Sequence, residues 1–299
     1  MNGHLAVIVA TLLLATSSAP STRAASSAGQ PAKKTTPART AAPARPSVLM
    51  DEMTMTEVRD AIAAGKTTAL LYSASIEASG PHIALGKHLY KVRHLGERIA
   101  RELGTALVAP VMPFAPTSDQ LNRFPGTINL SADTFSKVNE EVAESLVRTG
   151  FRYIILMGDH GGNQPPLKAL APKLDEKYRP KGVRVFFSGD AYAKSDAEIA
   201  AWLKEHGYPD SNHGGIADTS EVWAADPRSV RPGKIAMGDP IQRTAAGAVI
   251  GPSGVEGDPR PSSVKLGRLF NGIKVRDGVA EIRRLIAGGG QGRQAPIAR

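Results

Sequence analysis

The stretch TTALLYSASIEASGPHIALGKHLYKVRHLGERIARELG, residues 67–104, decides the fold. It opens on Thr67–Ser75, a short apolar run of strand length. A turn of small residues follows. Then Leu89, Val92, Leu95, Ile99 and Leu103 recur three and four apart, the stripe of an amphipathic helix. Gly104 stands where a helix end favours a left-handed residue.

The same alternation continues downstream. TALVAP, RYIILMG and VRVFFSG are three further apolar runs of strand length. Helical patterns cover SADTFSKVNEEVAESLVRTG, the segment after DHGGNQ, SDAEIAAWLKEHG, the region of DTSEVWAADP and finally Ser262–Ile286. Such alternation predicts an α/β fold, a mainly parallel sheet flanked by helices on both faces. Ligands in such folds sit beyond the carboxyl ends of the strands. The polar clusters fall there: Glu77 to His88 after the first run, Asp159-His160 after the third.

Composition narrows the function. The formal charge of +9 is concentrated in the tails: Arg23, Lys33, Lys34, Arg39 and Arg45 stand before residue 49 with no acid, and Arg293 and Arg299 close the chain. The middle is left near neutrality and has no basic stripe interleaved with aromatics, so nucleic acid is not an expected partner. The chain has no cysteine, which excludes disulfides, thiolate metal sites and cysteine nucleophiles. Residues 1–24, with the apolar run Leu5–Ala15, read as an export signal, placing the protein in the periplasm or outside the cell with no membrane span after signal removal. Residues 25–47, built of Ala, Ser, Thr, Pro, Lys and Arg, read as a disordered linker. The folded domain is expected over 48–286 and a flexible tail over 287–299.

His88 precedes Val92 by four residues and Leu95 by seven, so it faces inward. It is either a hydrogen-bonded core histidine or, with Glu77 just upstream, a metal ligand. His160 emerges from a strand end beside Gly161 and Gly162. The HGGN run could also suggest a hydrolase oxyanion loop, but no G-x-S-x-G elbow accompanies it. His213 leads NHGGIADTSEV, where Asp218 is either a helix cap or a ligand. His82 is expected to hold the turn after Pro81, and His94 and His206 to be solvated.

Together these clusters resemble the creatininase (creatinine amidohydrolase) family. SIEASGPHIALGKH, Ser75–His88, is similar to the family's S-I-E-Q-H-G-P-H-L-P-L-G-T-D. GDHGGN at Gly158–Asn163 is similar to N-G-H-G-G-N, and HGGIADTS at His213–Ser220 to H-A-G-x-x-E-T-S. FPGTINL (Phe124–Leu130) and GDPRPSSVKLG (Gly257–Gly267) follow further family segments in the same order. The resemblance implies a three-layer amidohydrolase with a divalent metal centre, often hexameric. It implies metal ligation by Glu77 and His160 and a catalytic role for His213. The sequence departs from the pattern at Ser79 (a His that binds the second metal), at His88 (an Asp that bridges both) and at Asp159 (a glycine). Asp218 stands where many members have Glu.

Neutral imidazole cannot bridge two cations, so the expectation is a single Zn²⁺, Mn²⁺ or Fe²⁺ on Glu77, His88 and His160, with Asp159 or Asp218 as a further ligand. The expected activity is hydrolysis of a small amide C–N bond, cyclic or open, by a metal-activated water, with His213 shuttling the proton. The competing readings are a secreted binding protein that has lost the chemistry and a tethered component of the cell envelope.

Overall fold

The computed structural model describes residues 46–244 and 247–289. The expected export signal, nearly all of the expected linker and the tail beyond residue 289 lie outside the described residues. Four parallel strands form the main sheet: β1 (Thr68–Ser73), β2 (Ala106–Val108), β3 (Tyr153–Gly158) and β4 (Arg184–Ser188), in the order β2-β1-β3-β4. All four are the expected apolar runs. Thr68 pairs in register with Ala106 on one side and Tyr153 on the other, and Tyr153 pairs with Arg184. Every residue of β1 is buried, as is β3 after its first. That explains their unbroken apolar character: strands covered on both faces have no solvent side to alternate with.

The helices are α1 (Met55–Ala63), α2 (Lys87–Leu103), α3 (Asp119–Asn122), α4 (Ala132–Thr149), α5 (Gln164–Tyr178), α6 (Ser195–Glu205), α7 (Ile216–Ala225) and α8 (Val264–Gly289). β1 crosses to β2 through α2 in one direction. β3 crosses to β4 through α5 in the other. Right-handed crossovers running opposite ways put their helices on opposite faces. Accordingly α2 packs on α7 and α8, while α4 packs on α5. Val92, Leu95 and Ile99 of α2 are fully buried against the sheet core, with Leu89 and Leu103 half-buried at its margin. Gly104 and Gly150 take the left-handed cap conformation that ends α2 and α4.

The sequence reading proposed no element before Thr67. α1 is nevertheless announced by a capping box, in which Thr54 accepts from the Glu57 amide and Glu57 accepts from the Thr54 amide. A small antiparallel pair, β5 (Gln242–Thr244) and β6 (Gly247–Val249), was also unforeseen. Among the described residues no helix is long and apolar enough to cross a membrane.

Gly267 sets the spacing of α7 and α8. A Cβ there would lie 1.8 Å from the Ser220 carbonyl oxygen, so only glycine permits this approach. With α7 held there, its Asp218 and Glu221 face the lysines of α2.

Candidate active site

The chain leaves β1 and β3 in opposite directions, opening a crevice between their carboxyl ends. The loop after β1 is pinned rather than free. The Ile128 amide donates to the Ile76 carbonyl, the Ala78 amide to Thr127 Oγ1, and the Glu77 amide to the Leu85 carbonyl. The FPGTINL segment therefore serves as a brace for the Glu77 turn. The loop after β3 is tied to β1: the Asp159 amide donates to the Ser73 carbonyl and Asn163 Nδ2 to that of Ala74. A Cβ on Gly162 would fall 1.9 Å from the Pro116 oxygen, which accounts for the second glycine of HGGN.

These loops, with α2 and α7, line a cleft of about 510 Å³. Glu77, His88, Asp159, His160, His213 and Asp218 all reach it, so all six expected site residues converge. Glu77 Oε2 lies 2.7 Å from His160 Nε2, and Glu77 Oε1 lies 3.0 Å from His88 Nε2. The other nitrogen of His88 is 2.8 Å from Asp159 Oδ2. His160 Nδ1 accepts from the Gly162 amide, which fixes the proton on Nε2 facing Glu77.

Lysines, which the sequence reading left out, complete the floor. Lys87 Nζ lies 2.6 Å from Asp218 Oδ2 and 3.2 Å from Glu77 Oε1. Lys91 Nζ meets Asp159 Oδ2 at 3.0 Å, Asp218 Oδ1 at 3.2 Å and Glu221 Oε2 at 3.0 Å. Lys274 Nζ pairs with Asp196 and stands 3.9 Å from both Asp159 Oδ1 and Glu221 Oε1. The side chains of all three lysines are at most 3% exposed, which is exceptional for unpaired lysine and tolerable here because each is paired.

The electrostatics follow from this packing. Burial would raise the Glu77, Asp159 and Asp218 carboxyls, but the facing cations hold all three below their ordinary values. Lys87 leads for Glu77 and Asp218, and Lys91 for Asp159. Burial would lower His88, yet Glu77 and the bond to Asp159 keep it raised. His213 goes the other way: burial and then the Lys87 charge lower it, so it is neutral near pH 7. Its Nε2 donates to the Ala78 carbonyl at 2.9 Å, leaving Nδ1 as an acceptor 3.8 Å from Glu77 Oε1.

A divalent cation is what the family resemblance implies here, and the donor set does not fit one. Among the described residues no group of three or more His, Asp or Glu side chains is arranged to hold a metal. Glu77, Asp159 and Asp218, proposed as ligands from the sequence, already face ammonium groups. His88 donates from both nitrogens to carboxylates, and the free lone pair of His160 takes the Gly162 amide. The two buried carboxylate oxygens without a hydrogen bond, Asp159 Oδ1 and Glu221 Oε1, have the Lys274 ammonium as a nearby cation. A dication about 4 Å from one of these ammoniums would be repelled by about 8 kcal/mol at an effective dielectric near 20.

Other sequence-read residues fall outside the floor. His82 is buried with Nε2 2.9 Å from Thr219 Oγ1, joining the Glu77 turn to α7. His94, expected in solvent, is half-buried, and that burial lowers its pKa. His206 is exposed and stacks on Trp202. Ser79 Oγ lies 3.3 Å from His213 Nε2. Neither Trp202 nor Trp223 is among the cleft-lining residues.

The comparisons agree with this fold. A family profile described as creatinine amidohydrolase (creatininase) matches residues 51–282. The creatinine amidohydrolase of Pseudomonas putida is 28% identical over 191 residues, covering 60% of this chain and 73% of that protein. A manganese creatininase structure superposes with a TM-score of 0.68 at 24% identity, over 80% of this chain and 99% of the other. A zinc-zinc form of a mutant creatininase gives the same TM-score and identity over 81% and 99%. These structural likenesses speak for the fold alone. The profile, spanning most of the chain, carries the conclusion that this protein belongs to the creatininase family.

Proposed function

We propose that this chain hydrolyses the C–N bond of a small amide in the cleft between β1 and β3. The observation that carries the reading is His213: neutral, oriented by its Nε2 bond to Ala78, and presenting an acceptor Nδ1 to the cleft. His213 takes a proton from a water as that water attacks the carbonyl carbon. The C–O bond forms, the carbonyl π pair moves to oxygen, and a tetrahedral oxyanion results. Lys87 spends two of its three donors on Asp218 and Glu77 and has one without a protein partner among the described residues. That N–H stabilises the oxyanion. The oxyanion pair then re-forms the C=O bond, the C–N bond breaks with its pair going to nitrogen, and protonated His213 gives that nitrogen its proton, yielding a carboxylic acid and an amine.

The relatives' structures contain manganese or zinc. The donor set here does not match such an ion. A cleft of about 510 Å³ suits a small substrate, cyclic or open. The test is a panel of lactams, formamides and cyclic ureas, creatinine included, assayed for amine release by the wild type and His213→Ala. Turnover lost in the variant supports the reading. Binding without turnover across the panel overturns it in favour of a binding protein on this fold.

Export is proposed from residues 1–24 and is tested by the amino-terminal sequence of protein recovered from the periplasm or medium. Self-association, expected from the resemblance, is measured by light scattering.

A further inference from the structure

We infer that this site carries its cations on its own side chains: Lys87, Lys91 and Lys274 balance its carboxylates, and the folded protein holds no resident divalent metal. This does not depend on the proposed hydrolysis.

The first support is geometric. Lys91 Nζ has three donors and meets three carboxylates, from Asp159, Asp218 and Glu221, at 3.0–3.2 Å. These acids come from the end of β3 and from α7, while Lys91 comes from α2. One ammonium therefore joins three elements, as a structural metal joins distant ligands. Lys87, one turn earlier on α2, does the same for the β1 loop and α7 through Glu77 and Asp218.

The second support is charge balance. The buried floor has four carboxylates: Glu77, Asp159, Asp218 and Glu221. Facing them are three ammoniums and His88. The flanking carboxylates accept from both His88 nitrogens, so His88 is an imidazolium. These buried groups then balance one another, and the partly exposed Asp196, which pairs with Lys274, adds one negative charge at the rim. A dication added to this cluster would leave it with a net positive charge.

The full chain, purified without chelator from medium supplemented with manganese and zinc, is subjected to elemental analysis. Its melting temperature is then recorded with EDTA, Mn²⁺ or Zn²⁺. The expected result is far less than one metal per chain and a melting temperature that none of these additions moves. One or more equivalents of metal, or a clear fall in melting temperature with EDTA, overturns the inference. Lys91→Met adds a second arm. It leaves the carboxylates in excess, so the folded variant should gain an upward shift with Mn²⁺ or Zn²⁺ that the wild type lacks. A folded Lys91→Met with no such shift counts against the charge-balance argument. If Lys91→Met does not fold, Lys87→Met is read in the same way. No readout here involves turnover. An inert wild type would sink the hydrolase reading alone, and bound metal would sink this inference alone.

Discussion

Lys87 Nζ, in the first turn of α2, lies 2.6 Å from Asp218 Oδ2, in the first turn of α7. Asp218 also accepts from the Gly214 amide and from Lys91, so one carboxylate ties down the turn before its own helix and holds two buried cations. Asp218→Asn keeps the shape and removes the charge. It should cost about 3–5 kcal/mol, the penalty for leaving buried charges uncompensated. At about 2–4 °C per kcal/mol in a domain of this size, the melting temperature should fall by about 6–20 °C. Calorimetry checks this, and an unchanged melting temperature would show that the pair contributes little.

His88 sets a pH signature. Its pKa is raised on folding, so its stabilising contribution is full below the ordinary value of 6.5 and is lost as pH rises through the folded value. His82, His94 and His213 are lowered and titrate with the opposite sign, so the raw melting curve mixes the two. The wild type minus His88→Asn difference isolates the effect. The gap in melting temperature should be widest near pH 5–6.5 and narrow steadily toward pH 9. A gap independent of pH would mean that His88 contributes by packing alone.

His213 governs the acid side of activity. Because its pKa is lowered from 6.5, the active neutral form persists below that pH. kcat/KM should fall only in more acidic solution. His213→Asn should lose about 10²–10⁴-fold in kcat, the usual contribution of a positioned general base. It should also lose that acid limb. A pH–rate profile on the best substrate of the amide panel measures both. Retention of the limb in the variant would assign it to another group.

Gly267 and Gly272 make a matched pair on α8. Gly267→Ala drives a methyl into the Ser220 carbonyl and should destabilise by about 1–3 kcal/mol or more. It should also weaken activity, since α7 carries Asp218 and Glu221. A Cβ on Gly272 meets nothing within 4 Å, so Gly272→Ala should stabilise by about 0.5–1 kcal/mol. Denaturant titration of both variants tests the assignment, and equal effects would refute it.

The strands were legible because burial on both faces leaves unbroken apolar runs, as in Leu70, Leu71 and Tyr72. The place of the site was legible too, since Glu77 and His160 follow two such runs. The lysines were not. Lysine is normally solvated, so composition alone does not mark Lys87 or Lys91 as buried. The available signal was position: Lys91 stands three residues after His88 and four before Leu95, on the inward stripe. Lys274, four residues after Phe270, was hidden in the same way. Distant partners are what make such positions tolerable, and Glu221 or Asp159 can be matched to Lys91 only once the chain has folded. β5 and β6, three residues each, are too short to show a period.

An ammonium borne on α2 is made with the polypeptide at translation. It cannot be stripped by a scavenging chelator, exchanged for a competing ion, or lost on dilution outside the cell. For a chain whose first residues read as an address for export, that permanence has a cost. Lys91, locked between three acids, is a fixed strut with no ability to change its coordination, so whatever adaptability the cleft possesses must come from Lys87 and its one unspent donor.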